Sequence, residues 1–203
     1  MNRVSKAIAL FAAASVFAVS AYAQGENAGA SSGPPVLAKN LLPARFGTKL
    51  SVTSSAFSSG AVLNDQYTQN GANMSPPLAW TKGPPGTVSY VVLAEDSGVN
   101  RPEPITHWIV YNLSPSVTSL SQEMPTTTPL ANGGEQGKNI AGKIGYIGPK
   151  PPAGQTHPYH FQVFALNSRL SIESDKADRA AIVSAMKSRV LASGDIVANY
   201  TGK

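Results

Sequence analysis

No cysteine occurs in the 203-residue chain. Disulfides, thiolate metal ligands and sulfur redox chemistry are therefore excluded, and the fold must rest on its core and hydrogen bonds. A lipid anchor of the bacterial type, which needs a cysteine at its attachment point, is excluded with them. Long apolar runs are missing as well. The one continuous stretch, Ala7 to Val19, falls short of the about 20 residues that a spanning helix needs. Charged residues make up only 13% of the chain and are scattered, which argues against a nucleic-acid groove or a polybasic membrane patch. Histidines number three, so imidazole chemistry falls to His107, His157 and His160.

Several chemical signatures are absent too. No G-x-S-x-G elbow presents a serine nucleophile, and Ser75 before Pro76 reads as a turn residue. Gly133 to Lys138 is one residue short of a phosphate loop, and Asn139 follows it where Ser or Thr is required. Histidines and carboxylates show no tight ligand spacing, so no metal or other cofactor is expected.

What is present begins with Arg3 and Lys6, the apolar run to Val19, and the small-residue exit Ala21-Tyr22-Ala23. This is the three-part layout of a secretory signal peptide, with cleavage expected after Ala23. Removing Arg3 and Lys6 leaves 14 of the 16 basic residues against 11 acids, a net +3. The expected organisation is a signal peptide over 1–23, a flexible Gly/Ala/Ser/Pro leader over 24–35, and one domain over 36–203. The expected location is periplasmic or secreted, with no transmembrane segment after cleavage.

From Lys49 onward, β-branched and aromatic runs recur between turn residues: 50–53, 88–94, 107–113, 159–166 and 196–201. The domain is predicted to be mainly β. A single segment reads as helical, with Ser174 as its cap, Gly194 as its stop, and Ile182, Met186 and Val190 on one face. Residues 114–156 form a long stretch rich in Gly, Pro, Thr and Asn. Such a stretch is uncommon without a use, and it leads straight to His157 as a candidate rigid lid.

His107 opens one predicted strand, His157 precedes another, and Asp96 follows the end of a third. If 88–94 and 107–113 are antiparallel neighbours, Asp96 and His107 share one sheet edge. Whether His157 joins them is left open by the spacing. Such a cluster has a physical use: a carboxylate fixes the tautomer of one imidazole, leaving ring N–H groups and the Tyr159 hydroxyl to meet a small anion. A polar edge with no ligand is the alternative. His160, three residues past His157, faces the other side of the strand and is left out of the site.

Three separated motifs then resemble a known family: Asn73-Met74-Ser75-Pro76-Pro77-Leu78-Ala79-Trp80, Glu95-Asp96 leading to His107-Trp108-Ile109-Val110-Tyr111-Asn112-Leu113, and Gly145 to Pro152 ending in His157-Pro158-Tyr159. In this order they are similar to the phosphatidylethanolamine-binding proteins, and more closely to their bacterial Raf kinase inhibitor-like branch. The resemblance implies an antiparallel β-sandwich with a large central sheet, a smaller second sheet and a C-terminal helix. It also implies an anion pocket lined by the positions of Asp96, His107, His157 and Tyr159, with the stiff loop Gly148 to Pro152, Gly148 and Pro149 among its binding positions, forming part of the wall.

Two departures stand out. Ser97-Gly98-Val99-Asn100 replaces an acidic, Pro-containing stretch, and Pro158 stands where a base is usual; Lys150 is a candidate replacement cation. The expected function is binding of a small anion or phospholipid head group, without catalysis. The alternatives are regulation or inhibition of an envelope protein such as a protease, or hydrolysis of a small ester or phosphate.

Overall fold

The computed structural model describes Met1 and residues 33–203. The expected signal peptide and the leader through residue 32 lie outside the described residues. At the end of the leader, Pro35 is already buried and the Val36 N–H donates to the Pro102 carbonyl at 3.3 Å.

Among the described residues there are eight strands and two short α-helices. The small sheet holds β1 (Val52–Thr53), β2 (Leu78–Trp80) and β5 (Ser119–Leu120), in the order β1-β2-β5. The large sheet holds β3 (Ser89–Asp96), β4 (Ile105–Leu113), β6 (Glu135–Gln136), β7 (Thr156–Leu166) and β8 (Val190–Thr201), in the order β6-β4-β3-β7-β8. All these strand pairings are antiparallel. The sandwich expected from sequence is thus present.

Its large sheet is covered on both faces. Tyr90, Val92, Trp108, Phe161 and Val163 pack toward Trp80 and Leu78 of the small sheet. Their alternates, Val91, Leu93, Ile109, Phe164 and Leu166, pack on the other face against a helical layer that supplies Ala38, Ile182 and Met186. Double coverage explains why every residue of β3 is buried. A half-solvated strand would alternate apolar with polar residues, whereas Tyr90 to Ala94 is continuously apolar.

The helical layer comprises α1 (Ala38–Leu41) and α2 (Arg179–Met186). The expected helix is present, with different bounds. Helix α2 begins only after Asp178, whose side chain accepts the Ala181 N–H at 2.8 Å, and Ser174 belongs to a separate 3-10 turn. The helix lies between β7 and β8, and the chain ends in a strand. Val190 opens β8, and Gly194 sits within that strand, where a Cβ would lie 2.1 Å from the Leu50 carbonyl oxygen. Gly194 is there because another backbone crosses it, with the Leu50 N–H donating to Ser193 at 2.9 Å.

One buried charge ties the layers together. Glu95, fully buried in β3, accepts from Arg179 Nε at 2.6 Å, Gln162 Nε2 at 2.7 Å and the Ala38 N–H at 2.9 Å. It joins both helices to the end of the central strand. Removing the guanidinium leaves a buried carboxylate without its cation. Arg179→Ala is therefore expected to destabilise the fold by about 3–5 kcal/mol, read as a lowered urea midpoint. The double variant Glu95→Gln with Arg179→Ala is expected to recover part of the loss.

Candidate functional site

Asp96 and Glu95 are neighbours on one strand, so their side chains leave on opposite faces. Glu95 faces the helices, and Asp96 faces the interior of the sandwich at its open end. In the strand register, Asp96 stands opposite Ile105 on β4 and Tyr159 on β7. Antiparallel pairing thereby brings together the end of β3 and the starts of β4 and β7. The sequence left His157 undecided, and this register decides it.

Asp96, His107, His157 and Tyr159 all line one cavity of about 470 Å³. The four side chains are nearly enclosed: His107 and His157 are each 5% exposed, and Asp96 and Tyr159 are each 2% exposed. Asp96 Oδ2 accepts from His157 Nδ1 at 2.8 Å, and its Oδ1 accepts the Gly98 N–H at 2.7 Å. A carboxylate only accepts, so the His157 proton is fixed on Nδ1. His157 Nε2 lies 3.4 Å from Gln155 Oε1.

His107 is held differently. Its Nδ1 donates to the Ile147 carbonyl at 2.7 Å, and its ring stands edge-on to Tyr159, with centroids 5.2 Å apart at 83°. Its Nε2 is buried without a protein partner. Burial depresses the His107 pKa, against the opposing pull of the Ile147 carbonyl and the Asp96 carboxylate. Burial and the Asp96 charge push the Tyr159 hydroxyl up, so it keeps its proton and can donate.

The long 114–156 stretch is a braced wall. Tyr146 Oη donates to the Tyr67 carbonyl at 2.7 Å, Asn73 Oδ1 accepts the Gly148 N–H at 2.7 Å, and Gln69 Nε2 donates to the Gly148 carbonyl at 2.7 Å. Gly148 has no room for a side chain, since a Cβ would lie 2.6 Å from the Tyr67 carbonyl oxygen. Lys150, Pro151 and Pro152 line the cavity, and Gly148 and Pro149 precede them on the same loop without lining it. The lining residues of this loop thus fall within the Gly148 to Pro152 segment expected as the wall. Side chains not singled out from sequence, among them Gln69, Ile105, Ile140 and Gln155, complete the lining. An apolar residue in a loop or at a strand end carries no signal that distinguishes a cavity lip from ordinary packing.

These contacts sit in a recognisable framework. Residues 53–201 match the family profile described as phosphatidylethanolamine-binding protein. The chain belongs to the phosphatidylethanolamine-binding protein family. It is 33% identical over 151 residues to a UPF0098 protein of Methanothermobacter thermautotrophicus, covering 74% of this chain and 98% of that one. It is 34% identical over 158 residues to a UPF0098 protein of Aquifex aeolicus, covering 76% and 90%. Among solved structures, a phosphatidylethanolamine-binding protein homologue of Chlamydia trachomatis matches with a TM-score of 0.67 at 33% identity, covering 77% of this chain and 99% of that one. YbcL of E. coli, described as a member of the mammalian family, matches with a TM-score of 0.71 at 29% identity, covering 77% and 100%. The chain falls with the bacterial, YbcL-like members of the phosphatidylethanolamine-binding proteins.

The lining offers two imidazoles, a phenol, a carboxylate, the Lys150 ammonium and the amides of Gln69, Asn100 and Gln155. Among the described residues no group of three or more His, Cys, Asp or Glu side chains is placed to hold a metal ion, and no helix is long and apolar enough to cross a membrane.

His160 lies on the opposite face of β7, with Nδ1 3.1 Å from Asp195 Oδ2 and Nε2 3.2 Å from Ser97 Oγ. Lys39 Nζ also reaches Asp195 Oδ2, at 2.6 Å, so this outer chain fastens the α1 segment to the sheet. The two histidine networks flank the same turn. Gly98 in that turn packs so closely that a Cβ would lie 2.5 Å from His157 Cγ. Gly98→Ala is expected to push the His157 ring off Asp96 and lower thermal stability. The displacement is checked by long-range ¹H–¹⁵N spectra of the imidazoles, in which the His157 Nδ1–H signature should weaken while that of His160 stays.

Proposed function

We propose that the chain is an exported protein that binds a small anion, of the phosphate or phospholipid head-group type, among Asp96, His107, His157 and Tyr159. The observation that carries this reading is the buried, unpartnered Nε2 of His107, a residue that lines the cavity together with Asp96, His157, Tyr159 and Lys150. A buried polar atom left without a partner costs about 1–3 kcal/mol. A site that retains one across a braced wall is arranged for something that arrives from solvent. The Tyr159 hydroxyl and the Lys150 ammonium supply donors on the same cavity, and the family takes its name from binding a phosphate-bearing lipid.

A second reading, regulation of an envelope protein, draws on the rim. Ile140 lines the cavity and is 51% exposed, an apolar side chain suited to contact with a partner. Export would keep such a partner outside the cytosol, which disfavours a kinase and leaves an envelope protease as one choice.

The test is an amide NMR titration of the exported protein with phosphorylethanolamine and with inorganic phosphate. Saturable shifts at Asp96, His107, His157 and Tyr159 are expected, and they should be lost in His107→Ala. Lys150→Ala should weaken binding about tenfold, equivalent to ~1.4 kcal/mol; unchanged affinity removes Lys150 from the ligand's surroundings. No shift at millimolar ligand would move the reading to the protein partner. Export has its own check: the intact mass of protein recovered from outside the cytoplasm should correspond to a chain beginning at Gln24.

A further inference from the structure

Granting that an anion occupies the cavity, we infer that the site selects oxyanions that bring their own proton. It should take inorganic phosphate and the singly protonated form of a phosphomonoester, and discriminate against sulfate and against the phosphodiester of an intact lipid.

The argument starts from one hydrogen bond. The Ile147 carbonyl, 2.7 Å from His107 Nδ1, has no proton to give. The proton must sit on Nδ1 whether the ring is neutral or charged. In the neutral ring Nε2 is then a lone-pair acceptor, and this is the atom left buried and unpartnered. An oxyanion can satisfy it in only two ways: the ring gains a second proton, or the ligand supplies an O–H.

The surroundings favour the ligand's proton. From β3, the Asp96 carboxylate already accepts from His157 Nδ1 and from the Gly98 N–H. From β7, Tyr159 presents a protonated phenol, and a charge on His157 would oppose a second charge on His107. From the wall, Lys150 adds a positive charge to the same cavity, while the Ile147 and Gly148 carbonyls favour the charged ring. Burial outweighs the favourable contributions and holds the ring below its ordinary pKa. The sign follows directly: a ring whose pKa lies below about 6.5 is neutral at pH 7 and remains an acceptor.

The ligands then separate by protonation rather than by size. Sulfate has the shape of phosphate but carries no proton near neutrality, so it sets an oxygen lone pair against the Nε2 lone pair. Inorganic phosphate keeps at least one O–H throughout the neutral range. A phosphomonoester loses its O–H with a pKa of about 6, and a diester has none.

The test measures affinity from pH 5.5 to 8.5 for four probes: inorganic phosphate, phosphorylethanolamine, sulfate and dimethyl phosphate. At pH 7 phosphate should bind at least tenfold tighter than sulfate or dimethyl phosphate. Phosphorylethanolamine affinity should fall as pH rises above about 6 while phosphate affinity holds. His107→Gln, which offers an amide donor, should narrow the gap between phosphate and sulfate. Equal binding of phosphate and sulfate by the unaltered protein, or parallel loss of all four ligands with pH, overturns the inference while leaving an anion pocket in place. Failure of every probe to bind overturns the anion reading and this inference with it. If His107→Gln fails to fold, the four-probe comparison on the unaltered protein decides alone.

Discussion

Two carboxylates on consecutive residues, both buried at the end of the central strand, organise this protein. Burying an unpaired carboxylate costs several kcal/mol, so each has to be met by donors from elsewhere in the chain. Strand alternation sends Glu95 and Asp96 to opposite faces, and each face recruits a separate set. Glu95 draws in Arg179, Gln162 and the Ala38 N–H, which pins the helical layer. Asp96 draws in His157 and the Gly98 N–H, which shapes the cavity. The same constraint therefore builds the back of the protein and the floor of its site. A perturbation of the 95–98 turn should be felt on both sides of the sheet.

The wall obeys a related rule. A long connection with only the short strands β5 and β6 in it leaves many backbone groups to satisfy, and around Gly148 side chains from distant segments do it. Asn73 and Gln69 hold the two polar groups of Gly148, and Tyr146 reaches back to Tyr67. The Ile147 carbonyl is consequently fixed in place, and it sets the tautomer of His107. Chemistry at Nε2 thus depends on a brace that begins in the Asn73 to Trp80 motif, well outside the cavity.

How much of this was legible in the sequence depended on the range of the interaction. The runs in β3, β4 and β7 announced themselves through β-branched and aromatic residues, and Asp96 with His107 could be paired from the short loop between them. His157 could not be placed, because its position follows from the register between β3 and β7, a pairing across some 60 residues of chain. The end of the supposed long helix was misread for a similar reason. Gly194 resembles a helix stop, and only the crossing Leu50 backbone reveals why a strand needs a glycine there. Burial in β8 alternates at Val190, Ala192, Ile196, Ala198 and Tyr200, a period-two pattern that outweighs the helical reading of Val190. Glu95 passed unnoticed beside Asp96, since a lone acid after an apolar run looks like a strand leaving the core.

The two departures from the family pattern can be placed by the same geometry. Pro158 lies between His157 and Tyr159 on a strand, so its side chain leaves on the outer face while theirs turn into the cavity. A base at 158 would not point into the cavity, and Pro158 removes no cation from it. The 97–100 turn behaves otherwise. Ser97 joins the outer network through His160, whereas Gly98 closes against His157 so tightly that even a methyl group meets the ring. A carboxylate at 98 would require the imidazole to sit elsewhere and would add negative charge beside the ligand. With glycine there, Asp96 is left as the one carboxylate on the cavity, and its charge is committed to His157. An anion approaching His107 then meets less repulsion than a second acid would impose. On the proposed anion reading, the 97–100 turn, more than Pro158, is the place that would set ligand preference.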